Sequence, residues 1–293
     1  MMRVAVYGRS VQPAEADFVA GIFESLAKRE IEFLVHKDFL IRCGEMLRLP
    51  AGSATFTSHL DLKEGIDCMI SIGGDGTLLD TLSFVRHYDI PVMGINTGRL
   101  GFLSSVGKED FELALDALQH RTYAADKRSL LCLHSDKPLF GEVHYALNDF
   151  TIHKKDVNAM IVIHTYINGE FLNSYWADGL IIATPTGSTA YSMSCGGPIL
   201  LPNSGSFVIT PVAPHNLSLR PVVVPDTSVI SFEVEGRTDQ FLCTLDSRTE
   251  TIDANTKLAI KKSESGITLV RLNDNNFLRT LSNKLMWGAD KRN

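Results

Sequence analysis

Apolar residues in the first 120 positions follow two alternating rhythms. Residues 3–7 (RVAVY) form a short apolar run closed by Gly8, as a buried strand does. From Pro13 the apolar positions Phe18, Ile22 and Leu26 recur every four residues, which is helical spacing. Residues 31–35 and 67–72 read as strands again. Leu78, Leu82 and Val85 return to helical spacing, 90–95 reads as another strand, and Phe111, Leu115 and Leu118 mark a helix beyond it. Strands and helices in alternation predict a parallel sheet with helices on its faces.

Past Tyr123 the helical spacing stops. Strand-like runs follow one another at 129–134, 142–152, 159–167, 178–183, 206–212, 228–234, 240–245, 257–262 and 266–272. Turn residues such as Asn168-Gly169, Pro202-Asn203-Ser204-Gly205 and Glu235-Gly236 separate several of them. Closely spaced strands without intervening helices predict an antiparallel sandwich or barrel. Residues 277–287 read as a helix that returns to the first domain. The expected architecture is an α/β domain with a parallel sheet (1–124 and 275–293) joined to an all-β, sandwich-like domain (125–274).

Composition narrows the function classes. The chain has 293 residues, of which 44% are hydrophobic and 21% charged, an ordinary globular balance. The formal net charge is −6 and no basic stripe is present, which argues against nucleic acid as a partner. Five scattered cysteines form no C-x-x-C pair, so neither a disulfide framework nor a zinc site is expected. The opening MMRVAVYGRS turns polar too soon for a signal peptide, and no apolar run is long enough to span a bilayer. These features predict a cytoplasmic protein without a membrane partner.

The first candidate chemistry is GGDGTLLDT, directly after the strand at 67–72. Ligands of open parallel sheets bind beyond the carboxyl ends of the strands. Gly73, Gly74 and Gly76 allow a tight turn, and a helix expected from near Thr77 offers N–H groups to phosphate. The stretch is neither G-x-x-x-x-G-K-[ST] nor G-x-G-x-x-G. Asp75 has three readings: a metal ligand, a base toward a hydroxyl that attacks phosphorus, or a helix-cap or turn aspartate that needs no ligand.

A second polar loop follows the strand at 178–183. Thr184-Pro-Thr-Gly-Ser-Thr-Ala-Tyr191 carries four hydroxyls, one glycine and an aromatic face. Asn148-Asp149, an adjacent amide and carboxylate, suits adenine edges and ribose hydroxyls, or else a polar edge strand. Arg99, in GINTGRLGFL, is a phosphate contact or a solvated loop residue. No Ser/His/Asp order and no clustered metal-ligand spacing stand out, and the metal ligands are left open.

Together GGDGTLL (73–79), GINTGRLGFL (94–103), LND (147–149), DGLIIATPTGSTAYSMSCGGP (178–198) and PVAPHNLSLRPVVVP (211–225) resemble the NAD kinase family. The resemblance implies transfer of the ATP γ-phosphoryl group to the 2′-hydroxyl of the adenosine ribose of NAD, giving NADP. It implies a two-domain fold whose last helix returns to the first domain. It also implies a divalent metal, normally magnesium, and a homodimer or homotetramer whose neighbouring subunits contribute to the site.

By the same resemblance Asp75 is the catalytic aspartate and general base, with Gly76 beside it in the NAD site. Asn148 and Asp149 bind adenine and ribose. Thr189, Ala190 and Tyr191, continued by Ser192, Met193 and Ser194, line the adenosine and nicotinamide moieties. Asp178 and Ala213 lie toward the nicotinamide end. The loop chemistry itself, apart from the resemblance, makes Gly73, Gly74, Gly76, Thr77 and Arg99 the candidate phosphate-donor side.

The chain departs from the family pattern in four places. Asp149 replaces a glutamate. Asp80 and Trp176 stand where basic residues are common. Asp246-Ser247-Arg248 replaces Asp-Gly-Gln. Two alternatives stay open beside an NAD kinase: a non-catalytic NAD(P)-binding sensor, and a lipid or sphingoid kinase sharing the GGDG loop.

Overall fold

The computed structural model describes residues 1–47, 49, 53–63, 65–98, 101–156, 159–272 and 277–287. The chain divides into two compact units: Met1–Lys127 with Ile267–Asn293, and Arg128–Gly266.

In the first unit, β1 (Arg3–Gly8), β2 (Glu32–His36), β3 (Ala54–Phe56), β4 (Cys68–Ile72) and β5 (Val92–Ile95) form a parallel sheet in the order β3-β2-β1-β4-β5. Near the chain end, Leu269 pairs parallel with Val92 and extends this sheet. Helices α1 (Ala16–Lys28), α2 (Lys37–Cys43), α3 (Asp75–Val85) and α4 (Phe111–Gln119) connect the strands. Side chains alternate across a strand, so Val4, Val6, Ile70, Ile72, Met93 and Ile95 share one face with the apolar stripes of α1 and α4. Gly94 points the other way, where an added Cβ would lie 2.8 Å from Leu78 of α3. The glycine lets α3 sit close against the sheet.

The second unit holds two antiparallel layers. The strands β6 (Ala124–Ser135) and β17 (Leu258–Arg271) run across the two points where the units divide. Between them come β7 (Tyr145–Ala146), β8 (Asp149–Lys154), β9 (Ile161–Ile167), β10 (Glu170–Ala177), β11 (Gly179–Ala183), β12 (Ser206–Val212), β13 (Val222–Pro225), β14 (Ile230–Glu235), β15 (Phe241–Leu245) and β16 (Arg248–Ile252). One layer is ordered β13-β12-β11-β8-β15-β16, and the other contains β10-β9-β14-β17. Phe150, Ile182 and Phe207 from the first layer pack with Ile163, Phe232 and Ile260 from the second. The α/β domain and the sandwich-like β domain expected from the pattern are both present.

Several elements differ from the sequence expectation. The helix α3 starts at Asp75 rather than near Thr77, because Gly74 already accepts from the N–H groups of Thr77 and Leu78. The run 142–152 is broken into β7 and β8 by a turn at Leu147-Asn148. The runs 257–262 and 266–272 are one strand, β17. Glu264, the one charged residue between them, is solvent-facing, and Gly266 lets the strand approach the Arg128 carbonyl, 2.6 Å from where a Cβ would stand.

Candidate active site

In the first unit the site begins at the carboxyl end of β4. Gly73 has φ +141°, its N–H donates to the Ile95 carbonyl at 2.9 Å, and a Cβ on it would collide with Thr77 Oγ1. This turn needs glycine. Gly74 then caps α3, and Asp75 is its first residue.

The Asp75 carboxylate is fastened to a second loop. Its Oδ2 accepts from the N–H of Phe102 at 2.8 Å, and its Oδ1 accepts from Leu103 at 3.1 Å and Ser104 at 2.9 Å. A Cβ on Gly101 would stand 1.8 Å from Asp75 Oδ1, so only glycine fits there. Three backbone donors fix the direction of the carboxylate. The helix-cap reading of Asp75 is not what this geometry shows: Gly74, not Asp75, occupies the cap position, and the carboxylate turns toward the neighbouring loop.

Asp80 lies one and a half turns further along α3. The Arg9 guanidinium forks onto it through Nε at 2.6 Å and Nη2 at 2.9 Å, and the Tyr7 hydroxyl donates to it at 3.0 Å. Burial first, and Asp80 next, raise the Tyr7 phenol above its ordinary value. Arg9 Nη1 is 3.5 Å from the point where a Cβ on Gly76 would be, so a cation stands over the first turn of α3. The acid at position 80 is thus neutralised by Arg9, the residue just after β1. Arg99 lies outside the described residues.

In the second unit, three polar segments meet at one end of β8 and β11. Asp246 lies at the β15–β16 turn and clamps the Leu147-Asn148-Asp149 turn. Its carboxylate accepts from the N–H groups of Leu147 at 2.9 Å, Asn148 at 2.8 Å and Asp149 at 3.2 Å. Its own N–H donates to the Asp149 carbonyl at 3.0 Å. The third segment is 184–191. Thr184 N–H donates to the Asn148 carbonyl at 2.9 Å, and Gly187 packs so closely that a Cβ would be 2.0 Å from the Asn148 carbonyl oxygen.

Most hydroxyls of 184–191 serve the loop itself. Thr184 Oγ1 donates to the Leu147 carbonyl at 2.5 Å, Ser188 Oγ donates to Pro185 and accepts from Leu200 N–H, and Thr189 Oγ1 donates to Thr186. Ser192 is fully buried, its hydroxyl sharing a 2.8 Å bond with Thr210. A Cβ on Gly197 would collide with that same hydroxyl. What remains open to a ligand is Ala190, Met193, Ser194 and Tyr191, the last 40% exposed. Arg128 is buried and donates to Thr186 Oγ1 at 3.1 Å, anchoring the loop from beneath.

Asp178 and Ala213 sit elsewhere. They neighbour each other, with Asp178 N–H donating to Val212, and Ala213 takes φ +44°. Asp178 pairs with Lys154 at 2.7 Å. Because Gly179 opposes Val212 while Ala183 opposes Asp149, this pair is roughly 16 Å along β11 from Asp149, at about 3.3 Å per residue. Tyr191 stands within the field of both acids. Burial is the main cause that raises its phenol, Cys195 is next, and Asp149 and Asp178 add to it. Two departures from the pattern also have places. Arg248 donates to the carbonyls of Val143 and Tyr145 with Phe140 beneath it at 5.8 Å. Trp176 is 57% exposed on β10.

Residues 42–123 match the model of the ATP-NAD kinase N-terminal domain, and residues 147–272 match the ATP-NAD kinase C-terminal domain. The chain belongs to the NAD kinase family. It is 48% identical over 295 residues to the NAD kinase of Cytophaga hutchinsonii, with 100% of each chain covered. It is 45% identical over 294 residues to that of Flavobacterium johnsoniae, again with 100% of each covered. Among solved structures, an NAD kinase from Archaeoglobus fulgidus in complex with ATP superposes with a TM-score of 0.75 at 25% identity, covering 97% of this chain and 99% of that one. Yeast NADH kinase complexed with NADH shares the fold, with a TM-score of 0.88 at 24% identity, covering 100% of this chain and 89% of that one.

Sequence reading singled out Asp75 and the 184–191 loop of this NAD kinase family member as candidates but passed over the residues that brace them. Gly101 was visible inside GINTGRLGFL, where a glycine between two bulky apolar residues signals a close approach. Asp246 stood out only within the departing Asp246-Ser247-Arg248, and its clamping role gave no local signal, because the turn that it clamps lies about a hundred residues earlier in the chain. Arg9 gave none either, since its partner Asp80 is 71 residues away.

Proposed function

We infer that the protein is an NAD kinase, transferring the γ-phosphoryl group of ATP to the 2′-hydroxyl of the adenosine ribose of NAD. The bond from the γ-phosphorus to its bridging oxygen breaks, one forms to the ribose oxygen, and NADP and ADP result. The observation that carries the assignment is Asp75: an oriented carboxylate on the first residue of α3, behind a glycine turn, in a chain that matches both domain models. Asp75 takes the proton of the attacking hydroxyl. The Gly73–Gly76 turn with Thr77 receives donor phosphates at the helix start, and Arg9 cancels the negative charge that Asp80 brings to α3.

NAD is bound through Asn148 and Asp149 at adenine and ribose, and through the 189–194 segment, where Tyr191 offers the aromatic face. Asp178 and Ala213 act at the nicotinamide end. Buried Ser192 and Thr189 support this surface more than they touch it. Among the described residues no group of three His, Cys, Asp or Glu side chains is placed to hold a metal. Magnesium on ATP takes most of its ligands from phosphate and water, so an ion that arrives with the nucleotide needs few ligands from the chain. When bound, it neutralises charge on the phosphates. Among the described residues no helix is long and apolar enough to cross a membrane, in keeping with action on soluble nucleotides.

The test is purified protein with NAD, ATP and magnesium, read by an NADP-dependent dehydrogenase. NADP should form, and Asp75→Asn should lose at least about a hundredfold in kcat, the usual scale of general-base catalysis, while still binding NAD. Unchanged turnover in Asp75→Asn would remove the base role.

A further inference from the structure

The loop that holds Asp75 is itself held from the far end of the sequence. Arg271, the last residue of β17, is 5% exposed. Its Nε donates to Asp126 and its Nη2 donates to the Phe102 carbonyl at 2.8 Å. That carbonyl belongs to the same planar peptide unit as the Leu103 N–H, which donates to Asp75 Oδ1. Fixing the oxygen therefore fixes the direction of a hydrogen that orients the carboxylate. The next N–H along, that of Ser104, donates to the same Oδ1.

The ring of Phe102 is packed from the same chain end. The helix α5 (Phe277–Lys284) places Phe277 with its ring centroid 6.3 Å from that of Phe102, and Lys284 Nζ 5.5 Å from the Phe102 centroid. Residue 102 is thus held by its N–H, its carbonyl and its ring, by three different parts of the first unit. Gly101, against Asp75 Oδ1, leaves the loop no slack on its other side.

We propose that Arg271 is a positioning residue for phosphoryl transfer, acting through the Phe102–Leu103 peptide on the direction of the Asp75 carboxylate. The proposal rests on the reading of Asp75 as the group that meets the acceptor hydroxyl. Asp126 is the counter-ion that keeps the guanidinium turned toward the loop. Neither residue touches substrate.

The test is a double-mutant cycle on the full chain. Arg271→Met and Arg271→Lys are assayed alone and combined with Asp75→Asn. A misplaced catalytic group costs roughly ten- to a hundredfold in rate, so Arg271→Met should lower kcat by about that factor, with KM for NAD and ATP held within about twofold. Arg271→Lys should recover part of the loss, because an ammonium can reach the carbonyl but lacks the fork that also engages Asp126. In the Asp75→Asn background either change should add nothing. Amide exchange at 102–104 should quicken in both Arg271 variants. Should Arg271→Met fail to fold, Arg271→Lys carries the cycle and the exchange measurement. Additive losses in the two backgrounds, or unchanged exchange at 102–104, would overturn the proposal while wild-type NADP formation stands. No NADP from the wild type would instead overturn the functional reading beneath it.

Discussion

Asp149 is 6% exposed, and among the described residues its only side-chain hydrogen bond is a long one, 3.4 Å from the Thr151 hydroxyl. Its neighbour in charge is Asp246, half-buried and holding three backbone N–H bonds. Burial raises both acids, and at Asp246 the N–H bonds and Arg248 offset only part of the rise. The pair's proton therefore rests on Asp149, whose carboxyl is pushed up to about 7, by burial first and Asp246 second. An acid raised on folding binds more protons folded than unfolded between about pH 4 and 7, so stability falls as pH rises through that window. Asp149→Asn should melt higher than the wild type at pH 8 and converge with it below about pH 4, the ordinary aspartate range. Thermal melts across pH 4–8 check this. KM for NAD should fall in the wild type from pH 6 to 8, as Asp149 gains the charge that accepts a ribose hydroxyl, and should stay flat in Asp149→Asn. A residue type and its neighbours in sequence identified Asp149 as a candidate. Its protonation was invisible there, because the second carboxylate comes from another strand turn.

The same carboxylate of Asp246 matters differently for the element that it clamps. The turn between β7 and β8 has no glycine or proline to shape it, and three successive N–H groups would be stranded without Asp246. Asp246→Asn keeps one acceptor oxygen and replaces the other with a donor that faces N–H groups. Each buried group left unpaired costs about 1–3 kcal/mol, so urea unfolding should show a loss of that size. NAD affinity should fall with it, because Asn148 and Asp149 are aimed by this turn, whereas KM for ATP should hold. Elements with a strong rhythm were legible: β1, α1, β4, α3 and β5 all lie where the apolar spacing put them. Those without one were not. The outermost strand β10 carries a register shift between Phe171 and Asn173, which breaks the two-residue alternation. The edge strand β16 buries only Ile252 fully, and α2, with seven residues, is too short to declare a period.

The whole-molecule question is whether one chain completes a site. Asp178 and Ala213 stand a strand's length from Asn148 and Asp149, and their end of β11 also displays bulky apolar side chains to solvent. Trp176 is 57% exposed, the Trp176 carbonyl accepts from His215 at 2.8 Å, and Leu217 beyond it is 86% exposed. Exposed apolar groups gathered beside polar ones suit contact with another protein surface, and we propose that this surface is a second copy whose site receives Asp178 and Ala213. Shared sites have a signature that separate sites lack. Asp75→Asn and Asp178→Asn chains, each impaired alone, should regain activity when unfolded together and refolded as a mixture. A mixed dimer then carries one site with both residues intact. Random assortment makes half the dimers mixed, so recovery should approach about a quarter of the wild-type rate. If each chain instead used its own Asp178, every site in the mixture would carry one lesion, and the rate would stay at the average of the two variants. Light scattering on the same samples reports the number of chains, so a monomer with full wild-type activity would sink the shared site directly.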